Sequence, residues 1–352
     1  MAQYPAFKAA AVHAAPVFLD AAATVEKAVA LIAEAARHGA ELVVFPESYV
    51  PGFPIWAALW APIYNHDLFA RFAASSMLVP GQETQRLCEA ARHHGVFVSI
   101  GVSERSASSL GGLWNSNLFI GDDGSLLNHH RKLVPTFYEK LVWAPGDGAG
   151  LQVSGTRIGR IGALICGENT NPLARFALMA QGEQVHISSW PPVWPTRKPT
   201  AGGNYNNVAA NRIRASAHSF EAKAFGIVCA GALDKATRDF LVGRDPDVAE
   251  ILDNTLCAES YFVDPTGEPF GDIARNAETI VYGDIDISRC VEPKQFHDVV
   301  GYYNRFDVFN LTVNRRRLVP AEFRDDVAPG IEPVGQAPDL RPSGPALSKA
   351  AE

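Results

Sequence analysis

Short apolar runs and amphipathic helical patterns alternate along most of this chain, an arrangement that calls for a buried sheet covered by helices. The run FKAAAVHAA near the start reads as a strand. In DAAATVEKAVALIAEAARHGA, Asp20 is placed to cap a helix, Val25, Val29, Ile32 and Ala36 recur at helical spacing, and Gly39 stands just past the end. ELVVFPES is a β-branched run halted by Pro46. The helix ETQRLCEAARHHG and the strand VFVSIGVSE then repeat the scheme, with Cys88 expected in the core beside Leu87 and Ala91. Asp122, Asp123 and Gly124 separate two extended runs in NSNLFIGDDGSLLNHHRK, which is a hairpin signal. The second half adds strands RIGALIC, VHISSW, FGIVCAGA and ESYFVDPTGEP, and helices after residues 171 and 204. Without an evident linker, one α/β domain over residues 1–310 is expected. Residues 311–352 turn to Pro, Gly and charge, so this tail is expected to be irregular and mobile at its end, a candidate interaction segment.

Charge and cysteine usage narrow the partners. A net charge of -7 without an extended Lys/Arg-rich tract argues against nucleic acid and anionic membrane surfaces. The first twenty residues lack a basic region followed by a long apolar block, and no window has the apolar length of a membrane span, which suits a cytoplasmic protein. Five widely spaced cysteines with no Cys-x-x-Cys pair suit reduced thiols. His-Glu-x-x-His is missing, and the pairs His93-His94 and His129-His130 lack further ligands at metal spacing, so both read as solvated surface and neither metal nor organic cofactor is expected.

Three segments carry residues suited to chemistry. In GALICGENTNPLARFALMAQGEQ, Cys166 ends a strand, and Asn171 with Pro172 can open a helix whose positive end would then lie near the thiol. Gly159, Gly162 and Gly167 allow close backbone approach, and the Gly167 N–H can face a developing anion. On this stretch alone, a buried structural thiol and a nucleophile both remain open. Glu47 follows an apolar strand and Pro46, at the kind of strand end where open α/β sheets place chemistry. There it reads as a loop carboxylate or as a general base. Lys132, in HHRKLVPTFYEK, is either solvated surface or a cation with Glu139 in reach seven residues on.

The ordered set resolves these choices. Phe-Pro-Glu-Ser, then His-Arg-Lys-Leu-x-Pro-Thr with its following glutamate, then Cys-Gly-Glu-Asn before Asn-Pro-Leu resembles the nitrilase superfamily. YVPGFPIW, KLVPTFYEKLVWAPGDG and HDVVGYYNRFDVFNL are most similar to its true nitrilase branch, and the likeness spans about residues 5–315. The resemblance implies a four-layer α-β-β-α sandwich and a homodimer that assembles into larger homo-oligomers. It also implies Cys166 as nucleophile, Glu47 as general base, Lys132 as the cation beside developing negative charge, and Glu139 as a second carboxylate that supports the lysine and positions substrate. A nitrile carbon is a weak electrophile and needs a soft, strong nucleophile, which a thiolate supplies. The implied reaction converts an organic nitrile to acid and ammonia through a thioimidate and a thioester, with no cofactor.

One departure concerns the pocket. Nitrilases commonly carry Trp after the nucleophile, and this chain has Gly167, which leaves open space expected beside the thiol. Gly167, Phe53, Trp56, Trp60, Trp190 and Trp194 are the candidate substrate-binding residues, and for the aromatic ones core or interface packing is the competing reading. Aromatic lining favours aliphatic, aromatic or arylacetonitrile-type substrates. Glu168 reads as an orienting or a structural residue. The alternatives are a nitrile or cyanide hydratase that releases amide, an amidase on the same site, and a scaffold without turnover.

Overall fold

The structure is a computed structural model that describes residues 4–195, 197, 198 and 205–321. Twelve strands form two six-stranded sheets. The first contains β1 (Ala6–His13), β2 (Leu42–Val44), β3 (Phe97–Arg105), β4 (Leu113–Ile120) and β5 (Leu126–Arg131), and is completed by β12 (Thr279–Asp286). Its order is β12-β1-β2-β3-β4-β5. The second contains β6 (Ser154–Thr156), β7 (Gly159–Ile165), β8 (Val185–Trp190), β9 (Phe225–Ala230), β10 (Ser260–Val263) and β11 (Pro269–Ala274), in the order β11-β10-β9-β8-β7-β6. β1, β2 and β3 are parallel, as are β7, β8 and β9, and the outer strands pair antiparallel.

Alternation along each strand builds the layers. From β1 and β2, Ala10, Val12 and Val43 face a core shared with helices Ala21–Arg37 and Gln82–His94. Their neighbours Ala9, Ala11, Leu42 and Val44 face Ile161, Val185, Ile187, Phe225 and Ile227 of the other sheet. Helices Pro172–Met179 and Asn207–Ala222 cover the far side of the second sheet, through Ala174 and Leu178 against Leu164, and Ala215 against Ile165 and Val228. The result is the α-β-β-α sandwich.

Local signals act as read. The Asp20 side chain accepts from the Ala23 N–H, and Gly39 and Gly95 take positive φ just past their helices. Cys88 is half-buried and packs at the margin of the outer core. His93 is exposed. The second pair departs from the surface reading: His129 is half-buried with Nε2 2.7 Å from Glu104, and His130, on the inward face of β5, is fully buried. Residues through Arg317 form one compact unit, and residues 311–317 have no regular secondary structure but are tied down where Arg317 reaches Asp147 and the His129 carbonyl. Residues 322–352 of the expected tail lie outside the described residues. No helix among the described residues is long and apolar enough to cross a membrane.

A polar knot is buried under the second sheet. Glu183 receives His186 Nδ1 at 2.8 Å and His218 Nε2 at 2.7 Å, and the two imidazole rings stack with centroids 3.5 Å apart. Gly162 on β7 has no side chain because a Cβ there would lie 2.0 Å from Glu183 Oε1. Burial holds His218 down to about 4, and despite its own burial Glu183 is held down to about 2 by the two histidines. Both depressions have the same sign of linkage: below pH 6.5 the unfolded chain protonates His218 before the folded one, and below about 4.5 it protonates Glu183 first. Stability is therefore predicted to fall progressively from about pH 6.5 to 4 and further below it. Urea midpoints measured across that interval check this, and an unchanging midpoint would contradict a neutral buried His218.

Candidate active site

Three loops leave the two sheets and converge. After β2, the backbone from Pro46 to Ser48 passes directly over Gly101 of β3, where a Cβ would lie 2.3 Å from the Pro46 carbonyl oxygen. The Gly101 N–H donates to that carbonyl and the Val50 N–H to the Gly101 carbonyl, so Glu47 is pinned to the sheet. Lys132 follows β5, with its N–H on the Asn115 carbonyl and its own carbonyl accepting from Gly146. Glu139 sits on the 3₁₀ turn Phe137–Leu141, where its Oε2 accepts from the Thr136 N–H at 2.9 Å. Cys166 opens the 3₁₀ turn Cys166–Thr170 after β7. Asn171 caps the next helix, with Pro172 at its first position. The extra turn separates the thiol from that helix end, so proximity to the helix start is weaker than the sequence suggested.

The four side chains meet in one buried cluster. Lys132 Nζ lies 2.7 Å from Glu47 Oε1 and 2.6 Å from Glu139 Oε2. Cys166 Sγ lies within 4.8 Å of a carboxylate oxygen of each glutamate. Glu47 Oε1 also accepts from Asn115 Nδ2 at 2.7 Å. The second oxygens, Glu47 Oε2 and Glu139 Oε1, are buried without a hydrogen-bond partner. Unpaired buried acceptors are costly in a fold that gains nothing from them, which makes these two oxygens candidate contacts for a substrate.

The cluster's charge is shared unequally. Burial works against the Lys132 ammonium, but Cys166, Glu139 and Glu47 outweigh it and hold the group well above the usual lysine range. Burial pushes the Cys166 thiol up and Glu47 adds to this, while Lys132 and the Gly167 N–H favour the anion. Burial also raises Glu139 to about 7, against the pull of Lys132. The arrangement therefore holds a thiol, a cation and carboxylate oxygens free to exchange a proton with it. Lys132 already occupies the space between the carboxylates that a metal ion would need. In the Glu183 knot the two carboxylate oxygens are likewise taken, by His186 Nδ1 and His218 Nε2.

The candidate pocket residues separate. Phe53 and Trp194 join Tyr138 in an aromatic group, with the Tyr138 and Trp194 rings stacked at 4.5 Å and Phe53 6.0 Å from Trp194. Tyr138 borders the Lys132 cluster: burial raises its phenol, and Glu139, Cys166 and Glu47 raise it further. Trp190 is buried with Ile165, Cys166 and Tyr261. Trp56 instead packs edge-on against Phe72, and Trp60 donates to Asp245 beneath the Arg244 guanidinium. The space beside Gly167 is not open as expected, because the Thr136 hydroxyl lies 2.5 Å from where a Cβ would stand. A cavity of about 290 Å³ continues beyond it, lined by Val134, Thr136, Phe137, Gly167 and Asn171.

Sequence reading missed Asn115, Tyr138 and Asn169. Asn169 donates to the Cys166 carbonyl at 3.0 Å and accepts from His186 Nε2 at 2.8 Å, which links the Cys166 turn to the Glu183 knot. Its place in Cys-Gly-Glu-Asn was the available signal. Asn115 and Tyr138 had none beyond an ordinary strand and loop.

Comparison with known proteins places these residues in context. The profile described as carbon-nitrogen hydrolase matches residues 8–295. A protein called nitrilase 2, from an unknown prokaryotic organism, is 37% identical over 318 residues, covering 89% of this chain and 94% of its own. An aliphatic nitrilase of Rhodococcus rhodochrous is 36% identical over 318 residues, covering 89% and 84%. A crystal structure of a carbon-nitrogen hydrolase from Helicobacter pylori G27 superposes with a TM-score of 0.68 at 20% identity, over 87% of this chain and 97% of that one, a likeness of fold.

The tight contact at Gly167 yields a prediction. Gly167→Ala should destabilise the protein by roughly 1–3 kcal/mol through overpacking against Thr136. Adding Thr136→Ala should recover most of that loss, measured as thermal midpoints of the two single variants and the double variant. Additive losses would show that the two loops do not press on each other.

Proposed function

The chain belongs to the carbon-nitrogen hydrolase family, in its nitrilase branch, and from that premise we propose that Cys166, Glu47, Lys132 and Glu139 convert an organic nitrile to its carboxylic acid and ammonia. The observation that carries the assignment is the buried lysine between two carboxylates, each with one unpaired oxygen, and the thiol within 4.8 Å of both.

In this reading the thiol loses its proton to Glu47 as sulfur bonds to the nitrile carbon. Lys132 and the Gly167 N–H face the negative charge that develops on nitrogen. Glu47 returns the proton to that nitrogen, which leaves a thioimidate. Water then adds to the carbon, the C–N bond breaks with proton transfer, and ammonia departs from a thioester. A second water cleaves the C–S bond to release the acid and restore the thiol. Glu139 holds Lys132 in place and offers its free oxygen to the substrate nitrogen or to water. If the C–S bond of the tetrahedral intermediate breaks first, the product is the amide.

Phe53, Tyr138 and Trp194 supply an apolar wall beside the cluster, which favours a nitrile carrying an aliphatic, aromatic or arylacetonitrile-type substituent. Five free thiols support a cytoplasmic setting. We assign the catalytic domain to residues 1–310. A homodimer that builds larger assemblies is supported by the apolar surface of residues 296–309, where Phe296, Tyr302, Tyr303, Phe306 and Phe309 are each about two-thirds or more exposed. A groove of about 1070 Å³ adjoins them, lined in part by Leu173, Phe176 and Val313.

Ammonia release from a nitrile panel tests the chemistry. Cys166→Ala should lower it on the order of 10³-fold or more, and the wild type should yield acid as the main product. Undiminished ammonia would remove Cys166 as nucleophile, and amide as the sole product would make the protein a hydratase. Light scattering should give a mass at least twice 38.0 kDa, and a strict monomer would contradict the assembly.

A further inference from the structure

Glu168 is fully buried two residues after the nucleophile, and every hydrogen bond its side chain makes reaches a segment that carries the reacting groups. Its Oε1 accepts from the Leu133 N–H at 2.6 Å, and Leu133 directly follows Lys132. Its Oε2 accepts from the Ile165 N–H at 2.8 Å, and Ile165 directly precedes Cys166. His130 Nε2 approaches the same carboxylate at 2.9 Å from Oε2 and 3.1 Å from Oε1. Because a carboxylate only accepts, Nε2 must carry the proton. Two of these donors belong to the end of β5 in the first sheet, and the third to the end of β7 in the second.

We propose that Glu168 is a positioning residue that sets the distance between the Lys132 ammonium and the Cys166 sulfur by clamping the two strand exits together. The proposal rests on the catalytic roles assigned above. Three features support it. Lys132 and Cys166 come from different sheets, with no backbone pairing between β5 and β7 to register them. The facing loops are already at contact distance, since Thr136 leaves no room for a Cβ at Gly167. Finally, the carboxylate is held ionised: burial opposes its charge, but His130 and the two N–H groups keep it below the usual glutamate range.

The structure also explains why glutamine cannot replace this group. A side-chain amide has one accepting oxygen and one NH₂, so whichever way it turns, one donor of the clamp meets another donor. The affected exit would then move away and carry its reacting group with it.

The test measures alkylation of Cys166 by iodoacetamide at pH 8, followed by mass spectrometry of its peptide, together with kcat and KM for a nitrile that the wild type turns over. In folded Glu168→Gln protein, alkylation should slow about tenfold, as expected when a cation that favours the thiolate moves away. The kcat should fall roughly 10- to 100-fold with KM within about threefold, because misplacement weakens the transition state more than binding. A merely structural role predicts the opposite alkylation result, since loosening would expose a now buried cysteine and speed its reaction. Unchanged or faster alkylation, or a rise in KM that accounts for the whole loss, overturns the proposal. If Glu168→Gln does not fold, His130→Asn decides: slower alkylation supports the clamp and an unchanged rate overturns it. Alkylation needs no nitrile, so a wild type that hydrolyses none would refute the proposed function while leaving the clamp tested.

Discussion

One buried ammonium organises the centre of this molecule. Lys132 is 1% accessible and bonded to two glutamates that are themselves buried, so its desolvation is offset only while both carboxylates stay in place. Each carboxylate belongs to a different loop, and the thiol that completes the cluster comes from the other sheet. The ammonium is balanced by two loops of the first sheet and the cluster is completed by the second, which makes the site a product of both sheets and not of any one element.

Holding those loops requires unusual backbone. Among the described residues, six that are not glycine take positive φ, and three lie at the site: Ser48 beside Glu47, Phe137 on the Glu139 turn, and Cys166 itself. Each costs on the order of 1 kcal/mol or more and persists only where neighbours over-determine the conformation. The neighbours can be named. Gly101 lets the Glu47 loop lie on β3, the Thr136 N–H and Glu139 close the second turn, and Asn169 holds the Cys166 carbonyl. The Glu183 knot stands behind Asn169 through His186, so polar groups far from the thiol share in fixing its direction.

Much of this was legible in the sequence, for reasons that differ by residue. The layers follow from strand and helix periodicity, because alternate residues such as Ala10 and Ala11 must face different cores. Glu47, Lys132, Glu139 and Cys166 became legible only as an ordered set, since each alone has an ordinary explanation at a strand end. His130 looked like solvated surface because nothing in His-His shows that a carboxylate thirty-eight residues later will face it. Gly167 misled for a related reason. A missing side chain predicts space only if nothing else occupies it, and the occupant, Thr136, comes from another loop. Asn115 was invisible because its role depends on pairing across strands.

The unpaired oxygens give the cluster its direction. Glu47 Oε1 is committed to Lys132 and Asn115, and Glu139 Oε2 to Lys132 and the Thr136 N–H, so neither can take a proton without losing a charge-assisted bond. Glu47 Oε2 and Glu139 Oε1 carry no such bond. In the proposed reaction the Cys166 proton leaves during attack, since burial pushes the thiol up, and those two oxygens can receive it without dismantling the lysine's environment. Separating an anchored oxygen from a free one on the same carboxylate lets each glutamate stabilise the cation and exchange protons at once. That division explains why a site with a single cation uses two glutamates where one would neutralise it.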